Sequence, residues 1–266
     1  MDTVISEDGT KIAYDNVGKG PVVILMTGAL TTRLFWSGHE LAKLLAPNFT
    51  VISYDRRGRG DSTNTLPYSP MREIEDIQAL IDQTGGSAFL YGHSSGGALA
   101  IEAAIELGKK VKKLAVYEVP YNSDENARKA AIEYSKQLTK LLAEGNKGDA
   151  VELFMKRVGM PDEQIQGMRH APVWQSLEAL APTLAYDNSI LGEDNSTPRD
   201  RIASINVPTL IMAGGAGSAF MRTTALELQK AIPNAQLTIL KDQTHEVNVE
   251  ILSPVLGQFF SSKDAG

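Results

Sequence analysis

The chain has 266 residues, 42% of them hydrophobic, so it can bury a sizeable core as one large α/β domain or two small ones, and disorder is excluded. A formal net charge of −6 without any block of Lys or Arg argues against a nucleic-acid partner. With no cysteine, disulfides and thiol chemistry drop out.

The opening residues MDTVISEDGTKIAYD lack a basic segment followed by an apolar one, and no apolar run is long enough to span a bilayer. A cytoplasmic protein with no membrane partner is the expectation. Thr3–Ser6 and Lys11–Val17 read as two strands joined by the turn Glu7-Asp8-Gly9-Thr10. Val22–Met26 is a continuous apolar run of the kind found in a sheet covered on both faces, and it ends in Thr27-Gly28-Ala29-Leu30. Phe49–Tyr54 is the next strand. The arginine- and glycine-rich stretch Asp55–Ser62 follows it and reads as a sharp loop whose charges pair locally, in preference to an anion site. Met71–Thr84 carries Ile74, Ile77, Leu80 and Ile81 at helical spacing and stops before Gly85-Gly86.

Ser87 to Leu99 is the stretch that organises the rest. A strand-length apolar run, Ala88-Phe89-Leu90-Tyr91, breaks at Gly92, and a helical pattern begins at Ala98. Between them Gly92-His93-Ser94-Ser95-Gly96 fits G-x-S-x-G. A strand that turns at once into a helix forces its turn residue into a strained conformation among very close neighbours. Glycines two before and two after that residue remove the clashing side chains. Ser94 is thereby lifted out of the turn at a helix N-terminus, the expected place for a nucleophile.

Lys113–Glu118 is another strand, and strand–helix alternation up to here implies a mostly parallel sheet. From Tyr121 the strand signals vanish. Helical stretches take over at Asn126–Ala143, Asp149–Val158, Asp162–Met168 and Val173–Ala181. Strands resume at Pro208–Ala213 and Gln236–Leu240, with helices at Thr223–Ala231 and Val247–Phe260. Residues 121–200 are therefore expected to form a helical cap inserted after the sixth strand of one sheet, with 1–120 and 201–266 as the core domain.

A serine hydroxyl needs a base to become a nucleophile at neutral pH. Of the four histidines, His93 lies inside the turn, His39 on an expected helix and His170 in the helical insert. His245 follows the last strand, on the sheet edge that carries Ser94, and fits the part of general base.

Taken in order, the Asp8-Gly9-Thr10 turn, the Thr27-Gly28 loop, Tyr54-Asp55-Arg56-Arg57-Gly58-Arg59-Gly60-Asp61-Ser62, the Ser94 turn and the late His245 resemble an α/β-hydrolase over essentially the full length. The resemblance implies an eight-stranded, mostly parallel sheet flanked by helices, a Ser–His–acid triad, and no metal or cofactor. Many relatives carry the acid after the strand that here reads Pro208–Ala213, as Gly-x-x-Asp. This chain has Gly214-Gly215-Ala216-Gly217 there, so Gly217 stands where the aspartate would fall. Other relatives place the acid after the preceding strand, which makes Glu118 the first candidate and Asp124 the reserve; Asp242 reads as a loop residue. The oxyanion amides would come from Ser95 and from Ala29 in the Thr27–Leu30 loop, where relatives often read His-Gly in place of Thr27-Gly28.

Apolar groups near these loops suggest substrate contacts: Leu30, Phe35, Trp36, Tyr121, Met155, Trp174 and Phe220. The expected activity is hydrolysis of a small-molecule carboxylic ester or lactone. The same triad also serves C–C bond hydrolysis and acyl transfer, and a ligand receptor without turnover is the contrasting class.

Overall fold

The computed structural model describes residues 1–34 and 38–262. Its centre is a sheet of eight strands: β1 (Asp2–Ile5), β2 (Lys11–Val17), β3 (Val22–Met26), β4 (Thr50–Tyr54), β5 (Ala88–His93), β6 (Val111–Tyr117), β7 (Thr209–Gly214) and β8 (Ala235–Leu240). The spatial order is β1-β2-β4-β3-β5-β6-β7-β8. The β1–β2 and β2–β4 pairs are antiparallel, and every pair from β4 to β8 is parallel. This is the mostly parallel eight-stranded sheet expected from the sequence.

Helices cover both faces. The first are α1 (Gly38–Leu45), α2 (Pro70–Gln83) and α3 (Ser95–Leu107). Six more lie between β6 and β7: α4 (Glu125–Ala143), α5 (Lys147–Arg157), α6 (Asp162–Arg169), α7 (Val173–Leu180), α8 (Leu184–Leu191) and the short α9 (Arg199–Ile202). After β7 come α10 (Ala219–Ala231) and α11 (Val249–Ser261). The continuous apolar strands explain the two-sided cover, because successive side chains point to opposite faces. In β3, Val23 and Leu25 join the layer under α1 and α11 with Leu41, Leu252 and Phe260. Ile24 and Met26 face the other way, with Ile77, Leu80 and Leu99 of α2 and α3.

A third apolar cluster lies within the helical segment 125–202, built from Tyr134, Leu138, Val151, Met155, Ile165, Trp174, Leu177 and Leu184. From the loop after β3, Leu30 enters it and Ala29 packs against it. The segment thus has its own core, seated on the loop after β3. Its α8 and α9 carry no helical signal in the sequence. Among the described residues no helix is long and apolar enough to cross a membrane.

Candidate active site

In a parallel sheet, loops at the C-terminal strand ends gather on one edge, and binding sites form there. Three of the five non-glycine residues with positive φ among the described residues stand on that edge: Leu30 (53°) after β3, Ser94 (57°) after β5 and Glu118 (47°) after β6. Left-handed backbone is costly for such residues and persists only where the surroundings enforce it.

For Ser94 the cause is the local packing. A Cβ at Gly92 would lie 2.3 Å from the Gly96 carbonyl oxygen, and one at Gly96 2.4 Å from that of Met26. Only glycines let the strand, the turn and the helix approach this closely. Ser94 N–H is spent on the Tyr117 carbonyl (3.0 Å), and α3 starts at the next residue, aiming its N-terminal dipole at the turn. Gly28 presses against the serine: a Cβ there would be 3.0 Å from Ser94 Cβ and 3.5 Å from Oγ. The Thr27–Leu30 loop and Ser95 therefore flank the same hydroxyl. Thr27 Oγ1 is buried without a hydrogen-bond partner among the described residues, so the threonine adds no hydroxyl contact within the protein.

His245 lies in the loop between β8 and α11, and its Nδ1 is 2.8 Å from Glu118 Oε2. A carboxylate oxygen accepts, so Nδ1 carries the proton and Nε2 keeps its lone pair. The other Glu118 oxygen accepts from Gly214 N–H at 2.9 Å. A Cβ at Gly217 would lie 3.0 Å from that oxygen. The space an aspartate after β7 would occupy is thus filled by a carboxylate from β6. No hydrogen bond joins Ser94 Oγ to His245 among the described residues; such contacts often tighten only when substrate is bound.

Three successive carbonyls hold the histidine loop. Ala216 N–H donates to Gln243 O at 2.9 Å, Tyr117 Oη to Thr244 O at 2.5 Å, and His93 Nε2 to His245 O at 3.0 Å. Burial pushes the His93 imidazole down to about 3, aided by His245 beside it, so it stands neutral with its proton on Nε2. His93 thus braces the loop that carries His245.

The loop after β4 carries a larger surprise. Arg56, Arg57 and Arg59 are all at most 1% exposed. Arg57 pairs with Asp76 and Asp8, away from the serine. Arg56 binds Glu73 through two bonds of 2.6 and 2.8 Å and reaches the Thr27 carbonyl at 3.3 Å. Arg59 donates to the Gly28 carbonyl at 2.5 Å. Both meet Asp187 of α8, at 2.7 Å from Arg56 and 2.8 Å from Arg59, and Ser95 Oγ donates to the same carboxylate at 2.8 Å. Burial alone would raise the Asp187 carboxyl, but Arg59 and Arg56 hold it below the ordinary carboxylate range. The charges do pair, as the sequence suggests, but across the fold and not within the loop. Gly60 shows how tight the loop is: a Cβ there would meet the Asp55 carboxylate at 2.2 Å.

Asp124, the reserve acid, is exposed and caps α4 by accepting from Ala127 N–H at 2.8 Å. The expected substrate contacts do not all converge. Leu30, Met155 and Trp174 share the cluster inside the helical segment. Tyr121 is corrected: its ring is buried in the main core beneath the sheet edge, and Thr224 Oγ1 binds its carbonyl. Phe220, 40% exposed where α10 begins, lies outside the cluster of the helical segment. Trp36 and its neighbour Phe35 lie outside the described residues. Asp187 is the site residue the sequence did not yield. Among the described residues no cluster of His, Cys, Asp and Glu is suited to a metal ion.

Comparison with known proteins agrees with this architecture. Residues 23–254 match the model of the alpha/beta hydrolase family. An alpha/beta hydrolase from Sphaerobacter thermophilus DSM 20745 superimposes with a TM-score of 0.88 at 48% identity, covering 98% of this chain and 100% of that one. A hydrolase from Pseudomonas aeruginosa PA01, 22% identical, covers 98% of each chain with a TM-score of 0.77 and shares the fold. Among curated proteins, the putative carbamate hydrolase RutD of Azorhizobium caulinodans is 27% identical over 237 residues, 84% of each chain. With its sheet order, its serine turn and a family match over most of its length, the chain belongs to the alpha/beta hydrolase family.

Proposed function

We propose that this chain is a serine hydrolase that cleaves a small-molecule carboxylic ester or lactone through an acyl-enzyme, with Ser94, His245 and Glu118 as its triad. The observation that carries this reading is the 2.8 Å bond from His245 Nδ1 to Glu118, which orients the imidazole on the edge where Ser94 stands. Ser94 Oγ attacks the acyl carbon while His245 Nε2 takes its proton. The backbone amides of Ser95 and Ala29 stabilise the oxyanion. His245 then protonates the departing alkoxide. Water, deprotonated by the same nitrogen, hydrolyses the acyl-enzyme and restores Ser94. Glu118 stays ionised throughout and stabilises the imidazolium.

In this reading residues 121–200 act as the cap. Leu30, with the layer that holds Met155 and Trp174, supplies an apolar surface for the acyl portion. A carboxylate on His245 supports turnover over a receptor without chemistry. The test is a panel of short-to-medium p-nitrophenyl acyl esters, several lactones and, given the named relative, a carbamate. Wild type should turn over at least one ester or lactone, and Ser94→Ala should lower that kcat on the order of 10⁶-fold with the fold retained. Near wild-type turnover by the folded variant would overturn the assignment.

A further inference from the structure

An oxyanion hole works only if its two amides are fixed relative to the nucleophile. Here they come from segments far apart in sequence, Ser95 at the start of α3 and the loop Thr27–Leu30. The loop's amides are aimed by peptide planes whose carbonyls are held from behind. Arg56 binds the Thr27 carbonyl and Arg59 the Gly28 carbonyl, while Thr31 Oγ1 also donates to Gly28 O at 2.8 Å. Ser95 is held by its own hydroxyl, which donates to Asp187. Asp187 is where these restraints meet, since one carboxylate receives Ser95, Arg56 and Arg59 together.

The residue does not belong to the sheet or its loops. It sits on α8, where the preceding residue, Tyr186, stacks on Tyr68 at 3.7 Å and accepts a hydrogen bond from Asn64 through its hydroxyl. This end of the helical segment is therefore clamped to the loop after β4. Asp187 itself reaches further, between the two segments that carry the amides.

We propose that Asp187 is a positioning residue for the oxyanion hole, tying Ser95 and the Thr27–Leu30 loop to one carboxylate so that oxyanion stabilisation depends on the seating of α8. It touches neither substrate nor the reacting atoms. The inference rests on the serine-hydrolase reading.

A fluorophosphonate probe separates the two, because its reaction with an activated serine develops charge on the oxygen that the hole would bind. Inactivation kinetics are measured for wild type, Ser95→Ala, Asp187→Asn and the double variant, with folding followed by circular dichroism. Asp187→Asn should lower kinact by about 10²-fold, the order expected for a misplacement near 1 Å, with KI little changed and the acid limb of the pH profile in place. Ser95→Ala removes one hydroxyl and leaves every ion pair, so its loss should be smaller. The two residues share one bond, while Asp187 also holds Arg56 and Arg59, so the double variant should be slower than Asp187→Asn by less than the factor that Ser95→Ala costs alone.

A folded Asp187→Asn protein with wild-type kinact would overturn the inference. If that variant fails to fold, Ser95→Ala decides alone, and wild-type kinact there has the same consequence. Labelling of wild-type Ser94 with unchanged variants rejects only this inference. Wild-type protein that is never labelled at Ser94 rejects the hydrolase reading and this inference with it.

Discussion

The loop after β4 and the outer helices of the 125–202 segment are both rich in charge, yet they handle it in opposite ways. Arg56, Arg57 and Arg59 are buried and each is matched by a buried or half-buried carboxylate. On α4, and between α5 and α6, pairs such as Lys129–Glu125 and Lys156–Asp162 lie at the exposed surface. An exposed pair is worth about 0–1 kcal/mol, because water and salt screen it. A buried pair gains little over apolar packing, but losing one partner strands a charge at a cost of about 3–5 kcal/mol. The arginines of the β4 loop are therefore better understood as fixing geometry than as adding stability. Where a guanidinium holds a carbonyl of the Thr27–Leu30 loop, that geometry belongs to the site; where it does not, the same kind of pair only holds the fold.

Arg57 provides the sharpest way to break this distinction. Asp76→Ala removes both bonds of 2.8 Å that Arg57 makes to that carboxylate, while Asp8 remains at 2.8 Å. Urea unfolding should show a loss near the lower end of the range, about 3 kcal/mol, with ester turnover per folded molecule unchanged. Lost turnover in fully folded protein would merge the two arginine groups into one.

His93 gives the next effect, and it appears as a pH dependence. Its folded pKa, about 3, lies below the unfolded value of about 6.5. Between those values the unfolded chain binds the proton that the folded protein refuses. The stabilisation is thus complete above about pH 6.5 and declines as pH falls toward 3. In His93→Gln, stability plotted against pH should be shallower by up to about 1.4 kcal/mol per unit in that window. Parallel curves for variant and wild type would mean that His93 is not held neutral.

The smallest effect belongs to the exposed carboxylate. Asp124→Ala should cost about 1 kcal/mol, the usual worth of an N-cap, and leave turnover intact. A large fall in turnover would transfer the triad acid from Glu118 to Asp124.

What the sequence reveals divides along similar lines. The serine turn is legible because its constraint is local: Gly92 and Gly96 are needed within four residues of each other. The strands are legible because β3 to β7 are buried on both faces and read as apolar runs. Glu118 and His245 follow from strand ends. Asp187 is not legible. Its partners Arg56, Arg59 and Ser95 lie 131, 128 and 92 residues away, so no spacing betrays them. The helix that carries it has Leu184, Asp187, Ile190 and Leu191 all buried, and a charged residue inside the buried stripe hides the amphipathic period. Tyr121 misleads for the converse reason: lying four residues beyond the end of β6 says nothing about which way a ring turns, and here it turns into the core.

The central claim is that the acid serving His245 has moved from the end of β7 to the end of β6. The kcat of Glu118→Gln on the best ester of the panel tests it most directly, with the unfolding midpoint measured alongside. The account predicts a loss of roughly two to four orders of magnitude in folded protein, since glutamine can no longer fix the Nδ1–H tautomer as an acceptor of full charge. A folded Glu118→Gln enzyme that keeps most of its activity would contradict it.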